Sequence, residues 1–319
     1  MATEKNITMK QFNGTDYDTL YPKTIASQVD GLLSAQIFVT TLPNTEVTAS
    51  LNGRTVSAMS DSSGLAVLKI LSYGTWTVSA TINGMLISID FEIKAVAQYE
   101  MILFPDLETA SWDVISSVSE SGLAPNLLSV GDKKTVTING VNYQAQIIGF
   151  NHDTKTSGGT AGITFQLVNC LNTKYKMETS SGAHNGGWGD SLMRNTTLNS
   201  TIYGQLSSDL KAVIKAVNKV TYVKNSTPNL KTTSDKLFLL SEIEVFGSTT
   251  YSASGEGKQY EYYAAGNSTI KTVSGSESDW WERSLYARSP DRYCRVEVSG
   301  KAQVEDASQS LGVSFAFCV

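Results

Sequence analysis

Hydrophobic and polar positions alternate cleanly in one stretch of the chain and change character beyond it. Within residues 35–104, Val47, Ala49 and Leu51 alternate with polar residues up to Asn52-Gly53, a pair suited to a tight hairpin turn. Asp61-Ser62-Ser63-Gly64 turns the chain before an apolar run over 65–71. Trp76, Val78, Ala80 and Ile82 then alternate up to Asn83-Gly84, and Ile87, Ile89, Phe91 and Ile93 alternate after it. A period of two places successive side chains on opposite faces, so each strand buries one face. Short strands punctuated by turns at this spacing predict a small β-sandwich. No titratable pair stands in it, which marks it as a spacer.

Past residue 105 the pattern mixes. Trp112, Ile115 and Val118 share one face of a helix over 107–121, and Gly122 offers a stop. Strands are expected at 134–138 and 141–150, around Asn139-Gly140, and again at 163–171. Leu206, Leu210, Val213, Ile214 and Val217 form an apolar stripe that predicts a helix over 202–217. Lys211, Lys215, Lys219 and Lys224 then read as its solvated face and exit. Residues 218–234 read as a long polar loop. The next segment, 236–246, carries Leu237, Leu239 and Leu240, and as a strand it points Glu242 and Glu244 the same way. Val313, Phe315, Phe317 and Val319 alternate as a core strand. Residues 1–34, with one extended piece at 7–12, hold too few apolar residues for a core and predict an arm.

A chain of 319 residues allows two or three domains. The net charge of -5 argues against nucleic acid, whose phosphates need a basic surface. The N-terminus has no apolar core of the signal-peptide kind, and no run is long enough to cross a membrane, so synthesis in the cytoplasm without membrane insertion is expected. Cys170, Cys294 and Cys318 lack metal-ligand spacing and read as buried thiols, with a Cys294–Cys318 bridge left open. Only His152 and His184 are present, and no nucleophile elbow, phosphate loop or zinc motif appears. No catalytic residue, metal or cofactor is therefore expected.

Three stretches carry resemblances. Asp18-Thr19-Leu20-Tyr21-Pro22-Lys23-Thr24 resembles the attachment segments of phage tail and baseplate proteins, and 35–104 resembles immunoglobulin-like or carboxypeptidase-regulatory-like spacers. Over about 107–319 the successive pieces resemble C-type-lectin-like domains at the C-terminus of phage virion proteins. These pieces are 112–122, 135–140, Ile148-Gly149-Phe150-Asn151-His152-Asp153, Gly187-Trp188-Gly189-Asp190-Ser191, Ser241-Glu242-Ile243-Glu244-Val245-Phe246-Gly247, Trp281-Glu282-Arg283-Ser284 and Ser310-Leu311-Gly312-Val313. One departure is Leu285 after Arg283-Ser284, where relatives often carry proline.

The resemblance implies a mostly β chain with an α+β C-terminal domain: an arm at 1–34, a sandwich at 35–104 and a lectin-like domain at 105–319. It further implies a virion protein, trimeric, joined to other tail proteins through its arm and meeting a host-surface glycan or protein through its loops. Ser289-Pro290-Asp291 lacks the acidic-Pro-Asn pairing of calcium-dependent lectins. Trp188, Trp281 and Arg283 count as framework in that pattern. Trp, Tyr and Arg dominate binding hot spots, so Trp280, Tyr286, Arg288, Asp291 and Arg292 are the candidates for the binding face, with Glu305, Asp306, Ser308 and Gln309 beside them and Tyr262 at the border. Glu242 is expected to anchor a loop or to receive Arg283. The alternatives are a decoration protein making only virion contacts, and a cell-wall glycan hydrolase.

Overall fold

The structure, a computed structural model, describes residues 9–12, 17–20, 35–82, 84–224 and 229–319. In the arm, Met9–Phe12 pairs antiparallel with Tyr17–Leu20; Tyr21-Pro22-Lys23-Thr24 of the attachment-like phrase lies outside the described residues, as does Asn83 of the expected Asn83-Gly84 turn. The chain divides into two compact units, 1–103 and 104–319.

In the first unit the alternating segments become two sheets. Leu65–Ile70, Ala35–Thr40 and Gln98–Ile102 make one, with the last two strands parallel. Arg54–Met59, Glu46–Leu51, Gly74–Ile82 and Met85–Ile93 make the other. Their apolar faces form one core of Ile37, Val39, Val47, Ala49, Leu68, Trp76 and Val78. Asn52 and Gly53 both take positive φ, 48° and 77°, as a hairpin turn matched to strand twist requires. Along Met85–Ile93 only Ile93 is fully buried; Ile87 and Phe91 pack at the core's edge, and Ile89 is exposed.

The second unit is built on a four-stranded antiparallel sheet of Lys133–Ile138, Val141–Phe150, Ile163–Leu167 and Ala316–Cys318. The helix Trp112–Ser121 lies on it, with Trp112 edge-on to Phe165 at 5.6 Å and to Phe317 at 5.9 Å. Its C-cap, Gly122, has φ 75° and donates to the Ser119 carbonyl. A Cβ there would meet nothing within 4 Å, so Gly122→Ala carries only the left-handed backbone term. That variant is expected to lose about 1 kcal/mol in thermal or urea unfolding. A second sheet joins Trp280–Leu285, Arg292–Val296 and Ala302–Asp306.

Four expectations change here. The stripe at 202–217 does not make one helix: a π-helix runs over Met193–Ile202, and short α-helices follow at Tyr203–Gln205 and Ser208–Val213. Leu206 and Ser207 break them apart with extended ψ of 154° each. The polar loop at 218–234 is a β-hairpin, Val217–Val223 with Asn229–Asp235. Its first strand has period-two burial, but Lys219 and Thr221 occupy inward positions beside Val217 and Val223, and that hides the alternation. Lys219 therefore belongs to the interior and to no solvated helix face. Glu242–Phe246 is a short helix, capped by Ser241 and Glu244 in a reciprocal capping box and closed by Gly247 at φ 69°. The cysteines are all free and buried, as read from the sequence, and the Cys294–Cys318 bridge left open there does not form.

Candidate functional site

The second unit encloses a charged frame. Arg283, wholly buried, chelates Glu244: Nη1 meets Oε2 and Nη2 meets Oε1 at 2.9 Å. The same guanidinium donates to the carbonyls of Leu239 at 2.9 Å and Glu256 at 2.8 Å. Lys219 bridges Glu244 at 2.9 Å and Asp153 at 2.7 Å, and Asp153 also accepts from the hydroxyls of Tyr260 and Thr164 and the Cys318 thiol. Burial alone would push the Asp153 and Glu244 carboxyls up, because an ion is poorly solvated inside a protein. Lys219 beside Asp153, and Arg283 with Lys219 beside Glu244, outweigh that and hold both below their usual range.

Further carboxylates tie loops to this frame. The Glu242 side chain accepts the backbone N–H groups of Thr250, Tyr251 and Ser252, plus the Ser252 hydroxyl. Glu256 accepts the Tyr222 N–H at 2.7 Å and the Ser284 hydroxyl, and burial pushes its carboxyl up to about 7. Glu282 differs: it is fully buried, neither oxygen has a hydrogen-bond partner, and burial with Glu242 and Glu256 nearby drives its pKa well upward. A cavity of about 350 Å³ adjoins the frame, lined in part by His152, Asp153, Lys219, Glu244, Glu256 and Arg283.

The frame carries a surface of converging loops. Lys224, at the tip of the hairpin, donates from Nζ to the carbonyl of Arg288 at 2.7 Å and to that of Ala287 at 3.3 Å. Ala287 N–H meets the Tyr251 carbonyl on the loop that Glu242 pins, and Tyr251 packs edge-on to Tyr286 at 6.1 Å. The 180–186 segment joins through His184 N–H to the Pro290 carbonyl, and through the Ser181 hydroxyl to Asp306 and Ser308. Ala307 N–H closes onto the Asp291 carbonyl. The hydrogen bonds from Ser308, side chain and backbone, hold the Asp306 carboxyl below its usual range.

Most candidates from the sequence therefore meet on one surface. Arg288, Arg292 and Gln309 are exposed there, and Tyr286, Asp291, Asp306 and Ser308 are half-buried. Glu305, also half-buried, alternates to the other face of its strand, beside Tyr293, and lies 3.7 Å from Arg295. Two more do not belong with them. Trp280 is completely buried, its indole N–H bonded to the Thr269 carbonyl at 2.9 Å and its ring 5.3 Å from the Lys271 ammonium. The strand Trp280–Leu285 is covered on both faces, so Trp280 and Trp281 are both interior and neither is a contact residue. Tyr262 packs edge-on to Tyr263 on the Glu261–Ala264 helix, which is tied to the central sheet by Tyr263 hydroxyl to Gln166 at 2.6 Å. Lys224, Ser181 and His184 brace the surface and carry no sequence signal of that role. The Glu244 cap did carry one, Ser241-x-x-Glu244.

Residues 163–319 match DUF6273, described as a domain of unknown function. No curated protein matches the chain. Among solved structures, a type II cohesin–X-dockerin complex of Acetivibrio cellulolyticus, an N-terminal interface mutant, is similar to part of it at 21% identity. That match covers 24% of this chain and 59% of the other, with a TM-score of 0.18, and so carries no argument about fold or partners.

Proposed function

We propose that the 104–319 unit is a C-type-lectin-like recognition domain of a phage tail or baseplate protein. In this reading the sandwich is its spacer, the arm joins it to the particle as a trimer, and the ligand is a glycan or protein of the host surface. The observation that carries the reading is the loop surface around Arg288 and Arg292, whose backbone is held in place by Lys224, Glu242 and the 180–186 segment. Rigid loops lose little entropy on binding, and exposed arginines beside half-buried Tyr286 are hot-spot chemistry. A catalytic reading finds less support. Asp153, Glu244 and Glu256, the carboxylates lining the cavity, are engaged by internal donors and are poorly placed to move a proton for a substrate.

Labelled full-length chain is expected to bind cells of a susceptible bacterium in a sedimentation or flow assay. The double variant Arg288→Ala/Arg292→Ala should lose about tenfold or more in affinity, with its unfolding midpoint unchanged. Equal binding by wild type and variant would remove the loop surface from the proposal. Binding to no cell would point instead to contacts confined to the particle.

A further inference from the structure

The sandwich is closed along one side and open along the other. On the closed side Arg54–Met59 of one sheet packs beside Leu65–Ile70 of the other. On the open side Met85–Ile93 is the edge strand of its sheet, paired with Gly74–Ile82 along all 9 residues and without a bulge. No described residue bonds the backbone along its outer edge. Natural edges are commonly blunted by proline, lysine, a bulge or an inward-pointing charge. This strand has none of them.

The row that faces the core is apolar throughout. Met85, Ile87, Ile89, Phe91 and Ile93 pair with the inward positions Ile82, Ala80, Val78, Trp76 and Gly74. Cover runs out along that row. Ile93 is buried, and Phe91 meets Tyr99 of the other sheet edge-on at 5.5 Å, while Ile89 and Met85 are each 39% exposed. The apolar row therefore continues past the sheet that covers its end.

We propose that this strand pairs with the same strand of a second copy, antiparallel, about a two-fold axis through Ile89. The two sheets then run on as one, with four strands from each copy. In this register Met85 lies opposite Ile93, Ile87 opposite Phe91, and Ile89 opposite its own mate. On the other face Leu86 lies opposite Glu92 and Ser88 opposite Asp90. No two carboxylates meet, and the serine hydroxyl can donate to the acid. An axis through Asp90 or Phe91 would set Asp90 against itself or against Glu92, and like charges directly opposite are unfavourable. An axis nearer Met85 shortens the pairing. The Ile89 register also sets the uncovered Met85 end of each copy beside the covered Phe91 end of the other. The strand is its own complement, and that selects a second copy over an unrelated strand.

The test uses the full-length chain. Whatever number of chains the arms join, a two-fold contact makes the total even, so the light-scattering mass at high concentration should be an even multiple of the chain mass. Ile89→Lys puts two ammonium groups face to face on the axis and should halve that mass. Its unfolding midpoint should hold, since a lysine at this partly exposed position reaches water. Ile89→Cys supplies a second reading, which decides if Ile89→Lys fails to fold. Directly opposed residues lie about 4.5–5.5 Å apart at Cα, within the span of a disulfide, so mild oxidation should link two copies. Leu86→Cys, exposed on the other face and opposite Glu92, should not link, and the native cysteines are buried. An odd mass, a mass unchanged by a folded Ile89→Lys, or linking at Leu86→Cys as readily as at Ile89→Cys would overturn the pairing.

Discussion

Arg283→Met is expected to destabilise the 104–319 unit by about 3–5 kcal/mol, the cost of leaving one member of a buried ion pair without its partner. The substitution removes the bidentate partner of Glu244 and strips donors from the Leu239 and Glu256 carbonyls in the same step. Glu244 keeps Lys219, but Lys219 is shared with Asp153. Domains of this size hold about 5–15 kcal/mol in total, so the loss takes a large share. Urea unfolding followed by tryptophan fluorescence reads it, because Trp188, Trp280 and Trp281 are all buried in this unit while Trp76 reports on the other. The transition of the second unit should move to lower urea and that of the sandwich should stay. A loss below about 1 kcal/mol would mean that Glu244 finds other donors or is neutralised, and that the frame is not held by Arg283.

The second large effect is one of pH. Glu256 carries a carboxyl raised from the ordinary 4.5 to about 7. Below pH 4.5 it is protonated whether the chain is folded or not, and it costs nothing. Above 7 it is ionised in both states, and the folded state bears the penalty of a buried charge. Stability from this group is therefore full below 4.5 and is lost as pH rises through 7, by about 3 kcal/mol. Other buried groups titrate too. Asp153 and Glu244, held low, lose stability as pH falls through their folded values, and His152, lowered by burial, opposes Glu256 near neutrality. The difference between wild type and Glu256→Gln cancels these terms, since Gln retains an oxygen for the Tyr222 N–H. Urea midpoints from pH 4.5 to 8.5 should show wild type falling relative to the variant across the interval. Parallel curves would show that Glu256 ionises freely in the folded protein.

How far the fold was legible depended on which side chains faced inward. In the sandwich, inward positions are Val47, Ala49, Trp76 and Val78, apolar without exception, and the alternation is visible in the residues. In the second unit lysines occupy inward strand positions: Lys134 donates to three carbonyls of 107–110, Lys219 joins the acids, and Lys271 donates to Leu167 and Val168. Each looks like a solvent residue until its partners are brought to it from distant segments. The same holds for acids: Glu242 was expected to anchor a loop or to receive Arg283, and the structure divides those roles between Glu242 and Glu244.

The sequence by itself determined the change of character near residue 105, the sandwich and a helix within 107–121 stopped by Gly122, and the resemblance led to the expectation that Trp188, Trp281 and Arg283 are interior, as they are. Those features rest on periodicity, turn chemistry and recurring local phrases, all contained in contiguous residues. Only the tertiary structure decided that Trp280 is interior, that Val217–Val223 and Asn229–Asp235 form a hairpin around Lys219, and that Arg288, Arg292 and Asp306 share a surface with Ser181 and Lys224. A buried charge is tolerated only where its counter-charges and donors converge. That convergence brings together residues such as Asp153, Lys219, Glu244 and Arg283, which stand far apart along the chain and meet only when it is folded.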